Sequence, residues 1–171
     1  MNKEMRIVLT GFMGVGKSSV ARHVSNMTGT RRADLDYVLE ERERRTIAEI
    51  IDAEGEDEFR RLETASLDHV LADPTVRVLS LGGGAWTTPV NREMLKTAGF
   101  TSVWLESSFE HCWLNITFSR KDRPLARDKK SALRLFEERQ KAYCLADWHF
   151  VIRPDHSSYD VARQIVEEIF S

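Results

Sequence analysis

The stretch MRIVLTGFMGVGKSSVARHV, residues 5–24, decides the fold. An apolar β-type run over Arg6–Thr10 leads into Gly11-Phe-Met-Gly-Val-Gly16-Lys17-Ser18. Those residues satisfy G-x-x-x-x-G-K-[ST] at every fixed position, and helical periodicity follows from Val20. The physical need is for bare backbone: glycines let N–H groups converge on phosphate oxygens with no Cβ in the way. The helix N-terminus that follows adds its positive dipole. Lys17 reaches β- and γ-phosphates as a mobile point charge, and the Ser18 hydroxyl is placed to ligate Mg²⁺. Strand, glycine loop and helix in that order predict a nucleoside triphosphate site, with Gly14, Val15, Gly16, Lys17, Ser18 and Ser19 around the phosphates.

Outward from this loop, β-type runs alternate with helical stretches. Strands are expected at Arg6–Thr10, about Arg32–Leu35, Val76–Leu81, Thr101–Leu105 and His149–Arg153. Helical periodicity covers Val20–Met27, Tyr37–Arg45, Glu56–Leu71, Asn91–Ala98, Phe109–Phe118 and Ala132–Leu145. A last helix carries Val161, Ile165 and Ile169 on one stripe. Thr46-x-x-Glu49, Ser107-x-x-Glu110 and Ser157-x-x-Asp160 read as capping boxes. Such alternation predicts parallel βαβ units with helices on both faces of the sheet. Over 171 residues, with no repeat and no linker composition, one domain is expected.

The bulk numbers bound the partners. Apolar content of 42% and charged content of 30% are those of a water-soluble globular chain. A net charge of −2 gives no reason to expect nucleic acid or an anionic membrane as partner. Cys112 and Cys144 form no CxxC and have no histidine at metal spacing, which suits idle thiols in a reducing compartment. The N-terminal apolar run ends at Lys17 and is broken by glycines, so neither a signal peptide nor a membrane span is expected. A cytoplasmic protein is the expectation. One charge cluster, EERERR over 40–45, alternates sign as a solvated helix face does. Another, RKDRPLARDKK over 120–130, holds six cations against two aspartates between two helices. With a phosphate site elsewhere, it suits a loop that closes over phosphates.

Several P-loop classes are excluded by what is missing. No N-K-x-D follows a late strand, as a guanine site needs, and DAEG over 52–55 lies in a helical pattern with no strand before it. The run VRVLS ends in Ser80 rather than an acid, followed by Gly82-Gly83-Gly84. An acid for the metal's water shell must come from elsewhere. ADLDY offers Asp34 and Asp36, two apart at the end of the second strand and therefore on one face.

The spacing of the remaining motifs resembles the shikimate kinases, small members of the nucleoside-monophosphate-kinase-like P-loop group. The resemblance runs nearly the whole length. It rests on the loop above, DLD (34–36), TIAEI (46–50), GEDEFRRLE (55–63), LGGGA (81–85), NREML (91–95), DRPL (122–125) and EERQKAYCLAD (137–147). It implies a three-layer α/β/α sandwich on a five-stranded parallel sheet of order 2-3-1-4-5. It also implies a monomer, with a substrate-binding region around 36–62 and a lid around 119–130. The implied reaction moves the γ-phosphate of ATP to the 3-hydroxyl of shikimate, with Mg²⁺. Arg60 and Arg139 would fork the carboxylate, since a guanidinium matches two oxygens bidentately. Gly82, Gly83 and Gly84 would allow close approach of the ring. Asp36 would orient the attacking hydroxyl and take its proton late; Asp34 would hold a water of the metal. Arg123 would be the lid cation on the transferring phosphate, and Arg120 would stack on adenine.

The chain departs from the family pattern in three places. DRPLAR lacks a second leucine, and VIRPDHSS lacks a later proline. Trp86, in GGGAW, stands where a smaller residue is usual and is expected close to the acceptor. Rival readings are a kinase of another small polyhydroxy acid such as gluconate, and a nucleotide-binding regulator without catalysis.

Overall fold

The computed structural model describes residues 1–171. Five strands, β1 (Ile7–Thr10), β2 (Arg31–Asp34), β3 (Val76–Ser80), β4 (Thr101–Glu106) and β5 (Trp148–Val151), form one sheet. Its order is β2-β3-β1-β4-β5, and every pairing is parallel. That is the topology implied above. The register sets Ile7 beside Val78 on one side and Thr101 on the other. Ile7, Val8 and Leu9 are fully buried, as a central parallel strand covered on both faces requires.

Eight helices complete the chain: α1 (Lys17–Thr28), α2 (Leu35–Glu43), α3 (Ile47–Glu54), α4 (Glu56–Leu71), α5 (Pro89–Thr97), α6 (Phe109–Phe118), α7 (Lys129–Tyr143) and α8 (Ser158–Ile169). Short 3₁₀ turns occupy Ala85–Thr87 and Pro124–Ala126. The connection through α1 crosses the sheet in one direction, whereas the later crossovers run in the other. Because parallel crossovers are right-handed, α1 must lie on the face opposite α4, α5 and α7. α8 packs against α1, which fixes it on that same face.

Physical reasons account for the shifted boundaries. The second strand stops at Asp34, one residue before the expected end, because the Asp34 carboxylate caps α2 by accepting from the Tyr37 N–H at 3.2 Å. Asp36 therefore sits in the first turn of a helix, and the expectation of Asp34 and Asp36 on one strand face is corrected. The capping boxes at Thr46/Glu49 and Ser157/Asp160 are formed. The one at Ser107 is not: Ser108 is the cap, accepting from His111 N–H, which leaves Glu110 a position short of reaching back.

Apolar side chains divide into two clusters. The larger holds 35 buried residues around the sheet; the smaller comprises Leu39, Ile47, Ile50, Phe59 and Leu62, from α2, α3 and α4. The second cluster builds a lobe beside the carboxyl ends of the strands. At that edge β1 and β3 send their connections in opposite directions, which is where open α/β sheets hold ligands.

Candidate active site

The loop between β1 and α1 is shaped by its glycines. Gly14 has φ +82°, and a Cβ there would meet the Cys112 carbonyl oxygen of α6 at 2.5 Å. A side chain is excluded on both counts. Gly16, also left-handed, is the N-cap residue of α1. Lys17 opens that helix with its side chain folded back, donating from Nζ to the carbonyls of Gly11 at 2.6 Å and Phe12 at 3.0 Å. Burial brings its ammonium down to about 8, while the nearby Asp36 charge works the other way. Such a desolvated cation has much to gain from a phosphate. Ser18 Oγ donates to Asp34 Oδ2 at 2.6 Å, and Ser80 Oγ donates to the same oxygen at 3.1 Å. Hydroxyl and carboxylate thus stand together at the mouth of the loop. Gly14, Gly16, Lys17, Ser18, Ser19, Asp34 and Asp36 line one cavity. Val15 does not; its side chain is buried in the main core and its N–H donates to the Phe12 carbonyl at 3.2 Å.

A second cleft adjoins the first, and Asp36, Gly82, Gly83 and Arg123 line both. Arg60 projects from α4 and donates to Glu63 Oε1 at 2.7 Å, three residues along the same helix. Glu63 is 1% exposed, and burial raises its carboxyl above the usual range against the pull of Arg60. Arg139, from α7, is 5% exposed, and its Nη1 has no hydrogen-bond partner. The glycine triplet makes room for these groups. A Cβ on Gly82 would collide with the Asp36 carboxylate, and one on Gly84 with the Arg60 guanidinium. Tyr143 O–H donates to the Gly83 carbonyl and holds the turn; burial pushes that phenol up to about 12, so it keeps its proton.

The charge balance decides what the cleft takes. Arg60, Lys121, Arg123 and Arg139 line the cleft against the carboxylates of Asp36, Glu63 and Asp122, and burial disfavours the ionised form of Glu63, so the cleft holds excess positive charge with an unpaired donor on Arg139. A small carboxylate fits that deficit. Asp36 Oδ1 also lacks a partner, next to Gly82, and offers an acceptor for a hydroxyl on the same small molecule. Arg123 stands between the cavities; burial lowers its pKa while Asp36 opposes the shift.

Two expected members lie elsewhere. Arg120 is exposed and lines neither cavity. Trp86 is turned away from the acceptor cleft, with its ring buried and Nε1 donating to the Ala142 carbonyl at 2.8 Å. That hydrogen bond to α7 explains how a large residue is accommodated beside the glycine turn. Glu63, Lys121, Tyr143 and Asn115 were not singled out by the sequence. The i,i+3 spacing from Arg60 was a usable signal for Glu63; nothing in the sequence pointed to Asn115, whose amide donates to the Gly14 carbonyl at 2.8 Å.

Known proteins resemble this chain along nearly its whole length. The family model described as shikimate kinase matches residues 13–170. The shikimate kinase of Lactococcus lactis is 39% identical over 168 residues, covering 96% of each chain. A solved shikimate kinase from Acinetobacter baumannii, in complex with shikimate, superposes with TM-score 0.88 at 32% identity, covering 97% of this chain and 93% of that one. A gluconokinase from Sinorhizobium meliloti is more distant, at TM-score 0.62 and 16% identity over 98% of this chain and 92% of that one, and shares the fold alone. The chain belongs to the shikimate kinase family.

Proposed function

We propose, from this membership and from the cleft, that the protein transfers the γ-phosphate of ATP to the 3-hydroxyl of shikimate, giving shikimate 3-phosphate and ADP in chorismate biosynthesis. One observation carries the acceptor assignment: the buried Arg139 guanidinium with a free Nη1 stands beside Arg60, in the same cleft as the unpartnered Asp36 Oδ1. An acceptor with a carboxylate at one end and a hydroxyl at the other spans those groups.

In this reading Arg60 and Arg139 hold the carboxylate, and Gly82, Gly83 and Gly84 let the ring approach the backbone. Asp36 accepts the hydrogen bond of the attacking hydroxyl and takes its proton late. Phosphoryl transfer has a loose transition state, so a positioned carboxylate suffices and base strength matters little. Lys17 and Arg123 neutralise the charge that develops on the transferring group. Gly14, Gly16, Ser18 and Ser19 enclose the nucleotide phosphates. Residues 36–62 form the acceptor lobe and 119–130 the lid of a single unit spanning 1–171. The Ser18 hydroxyl joined to the Asp34 carboxylate is a hard oxygen donor set of the kind Mg²⁺ accepts beside phosphates and water. Ser18 and, through water, Asp34 would hold the metal there, and its charge would offset that of the phosphates. No helix is long and apolar enough to cross a membrane. A monomer in the cytoplasm, where both thiols stay free, completes the proposal.

A coupled assay of ADP release over a panel of small hydroxy acids tests it. Shikimate should give the highest kcat/KM, with gluconate near background. Faster turnover of gluconate would transfer the assignment to a sugar-acid kinase, and no turnover with any acid would leave a nucleotide-binding regulator.

A further inference from the structure

Two residues, Asp36 and Lys121, line the acceptor cleft, the phosphate cavity and the groove beside β2 alike. Asp36 has a role in the reading above; Lys121 has none. Its Nζ lies 3.4 Å from Asp36 Oδ2. The other cations of the 120–130 loop are disposed differently. Arg127 pairs with Asp52 and Asp122, Lys129 pairs with Glu110, and Arg120 and Lys130 line neither cavity. Only Lys121 and Arg123 among the six face the place where the two cavities meet.

That junction is where a phosphoryl group must pass between nucleotide and acceptor. A lysine there has two anionic partners at different stages: the Asp36 carboxylate before substrates bind, and phosphoryl oxygens once they are in place. Its long stem and 45% exposed side chain permit the exchange. Resting on the function proposed above, we propose that Lys121 is a further catalytic residue with these two alternate partners. Before substrates bind it pairs with Asp36 Oδ2, and its charge beside the carboxylate weakens the free Oδ1 as an acceptor for the hydroxyl. During transfer it turns onto the moving phosphoryl group and releases Asp36 to the hydroxyl. Lys121 keeps its proton throughout. The P–O bond to ADP breaks, the P–O bond to the acceptor forms, the hydroxyl proton goes to Asp36, and the ammonium supplies charge alone.

The two partnerships predict opposite effects on binding and on turnover. A fixed donor to a developing oxyanion is worth about 100- to 1000-fold in rate, and a mobile, half-exposed one less, on the order of 10- to 100-fold. An exposed ion pair shifts an equilibrium by only about 1.5- to 5-fold. Lys121→Ala should therefore lower kcat 10- to 100-fold, yet tighten shikimate binding without nucleotide by about 1.5- to 5-fold, because its rival for Asp36 is gone. Lys121→Arg, which keeps the charge, should recover kcat to within about fivefold of the parent chain. The measurements are steady-state kinetics and titration calorimetry with shikimate on the full-length protein, with circular dichroism to compare the folds. A kcat within twofold of the parent in Lys121→Ala would overturn the proposal. So would shikimate affinity that is unchanged or weaker, since a merely structural lysine gives that pattern. The parent chain is assayed alongside: if it fails to phosphorylate shikimate, the function reading fails, whereas normal parent turnover with an indifferent Lys121→Ala removes only the inference about Lys121.

Discussion

At the scale of single residues, Arg60 does two tasks that ordinary alanine scanning would confuse. It faces the acceptor cleft, and it is the hydrogen-bonding partner of the buried Glu63. Truncation to alanine strands that carboxylate, so part of any loss would be stability. Arg60→Lys separates the tasks, keeping a charge near Glu63 while removing the fork. We expect shikimate KM to rise at least tenfold with ATP KM nearly unchanged and thermal stability largely kept; equal weakening of both substrates would show that Arg60 is not acceptor-specific. Asp36→Asn should do the reverse. Its amide can still hydrogen-bond the hydroxyl but cannot take its proton, so kcat should fall by about 100- to 10,000-fold while calorimetric shikimate affinity stays within tenfold. Lys17 yields a prediction with a pH sign. Its folded pKa of about 8 lies below the ordinary 10.5, so the unfolded chain binds the extra proton between those values. Stability from this group is therefore deficient below pH 8 and is regained as pH rises toward 10.5. Lys17→Met has no such deficit. Its stability relative to the parent, from urea unfolding, should drop by about 2 kcal/mol between pH 7 and 9.5. An unchanged difference would mean that the buried ammonium is not strained by desolvation.

Elements were legible in the sequence where burial imposes a pattern, and illegible where capping or contact between distant segments decides. Strands β1, β3 and β4 read clearly because central strands, covered on both sides, carry short apolar stretches such as Ile7–Leu9, Val78–Leu79 and Val103–Leu105. Edge strand β2, with the sequence RRAD, has no such run; its end is set by the Asp34 cap, a local hydrogen bond that apolar patterning does not mark. Helix α3 is eight residues long, too short for periodicity, and only its capping box announced it. Within the candidate site, the phosphate loop was fully readable because its chemistry is local. Arg60, Arg139 and the glycine triplet could be named by resemblance, but their convergence arises from α4, α7 and the end of β3 meeting across the sheet. The lid illustrates the limit most clearly. Its cation density was visible, whereas the link from Arg127 to Asp52 of α3, at 2.8 Å, joins residues 75 apart. That link ties the 119–130 segment to α3. Both partners are about half exposed, so it is worth only about 0.2–1 kcal/mol. Arg127→Ala should then speed amide exchange across 119–130 by about 1.5- to 5-fold without ligands. Adding shikimate and a non-hydrolysable ATP analogue should slow exchange there in both proteins. Identical exchange with and without ligands would exclude a closing lid.

The whole molecule is organised as a large sheet core that carries the phosphate loop and a small core from α2, α3 and α4, which the proposed function makes the acceptor lobe. Leu39, Ile47, Ile50, Phe59 and Leu62 pack apart from the residues around the sheet. The small core is coupled to the cleft through α4: the Arg60 guanidinium lies 4.9 Å from the Phe59 ring centroid, so the packing of Phe59 sets where Arg60 points. Five side chains bury little apolar area, and a unit with few buried contacts opens more readily than the whole. Ile50, fully buried at its centre, is the residue to perturb. Ile50→Ala removes three carbons and should cost about 2–5 kcal/mol, the milder Ile50→Val about 0.5–1.5 kcal/mol. If the lobe opens by itself, that cost appears as faster amide exchange in α2, α3 and the first turns of α4, while the β1, β3 and β4 amides keep their protection. Shikimate KM should rise in step with the lobe's lost stability, and nucleotide affinity should remain within twofold, because Lys17 and Ser18 are held by the other core. Val78→Ala, in the sheet, is the contrasting variant: it should lower global stability and affect both substrates alike. Should Ile50→Ala reduce protection equally in α3 and in the sheet, the chain opens as one cooperative unit. Acceptor specificity would then have to come from the rigid placement of Arg60 and Arg139 rather than from a lobe with its own equilibrium.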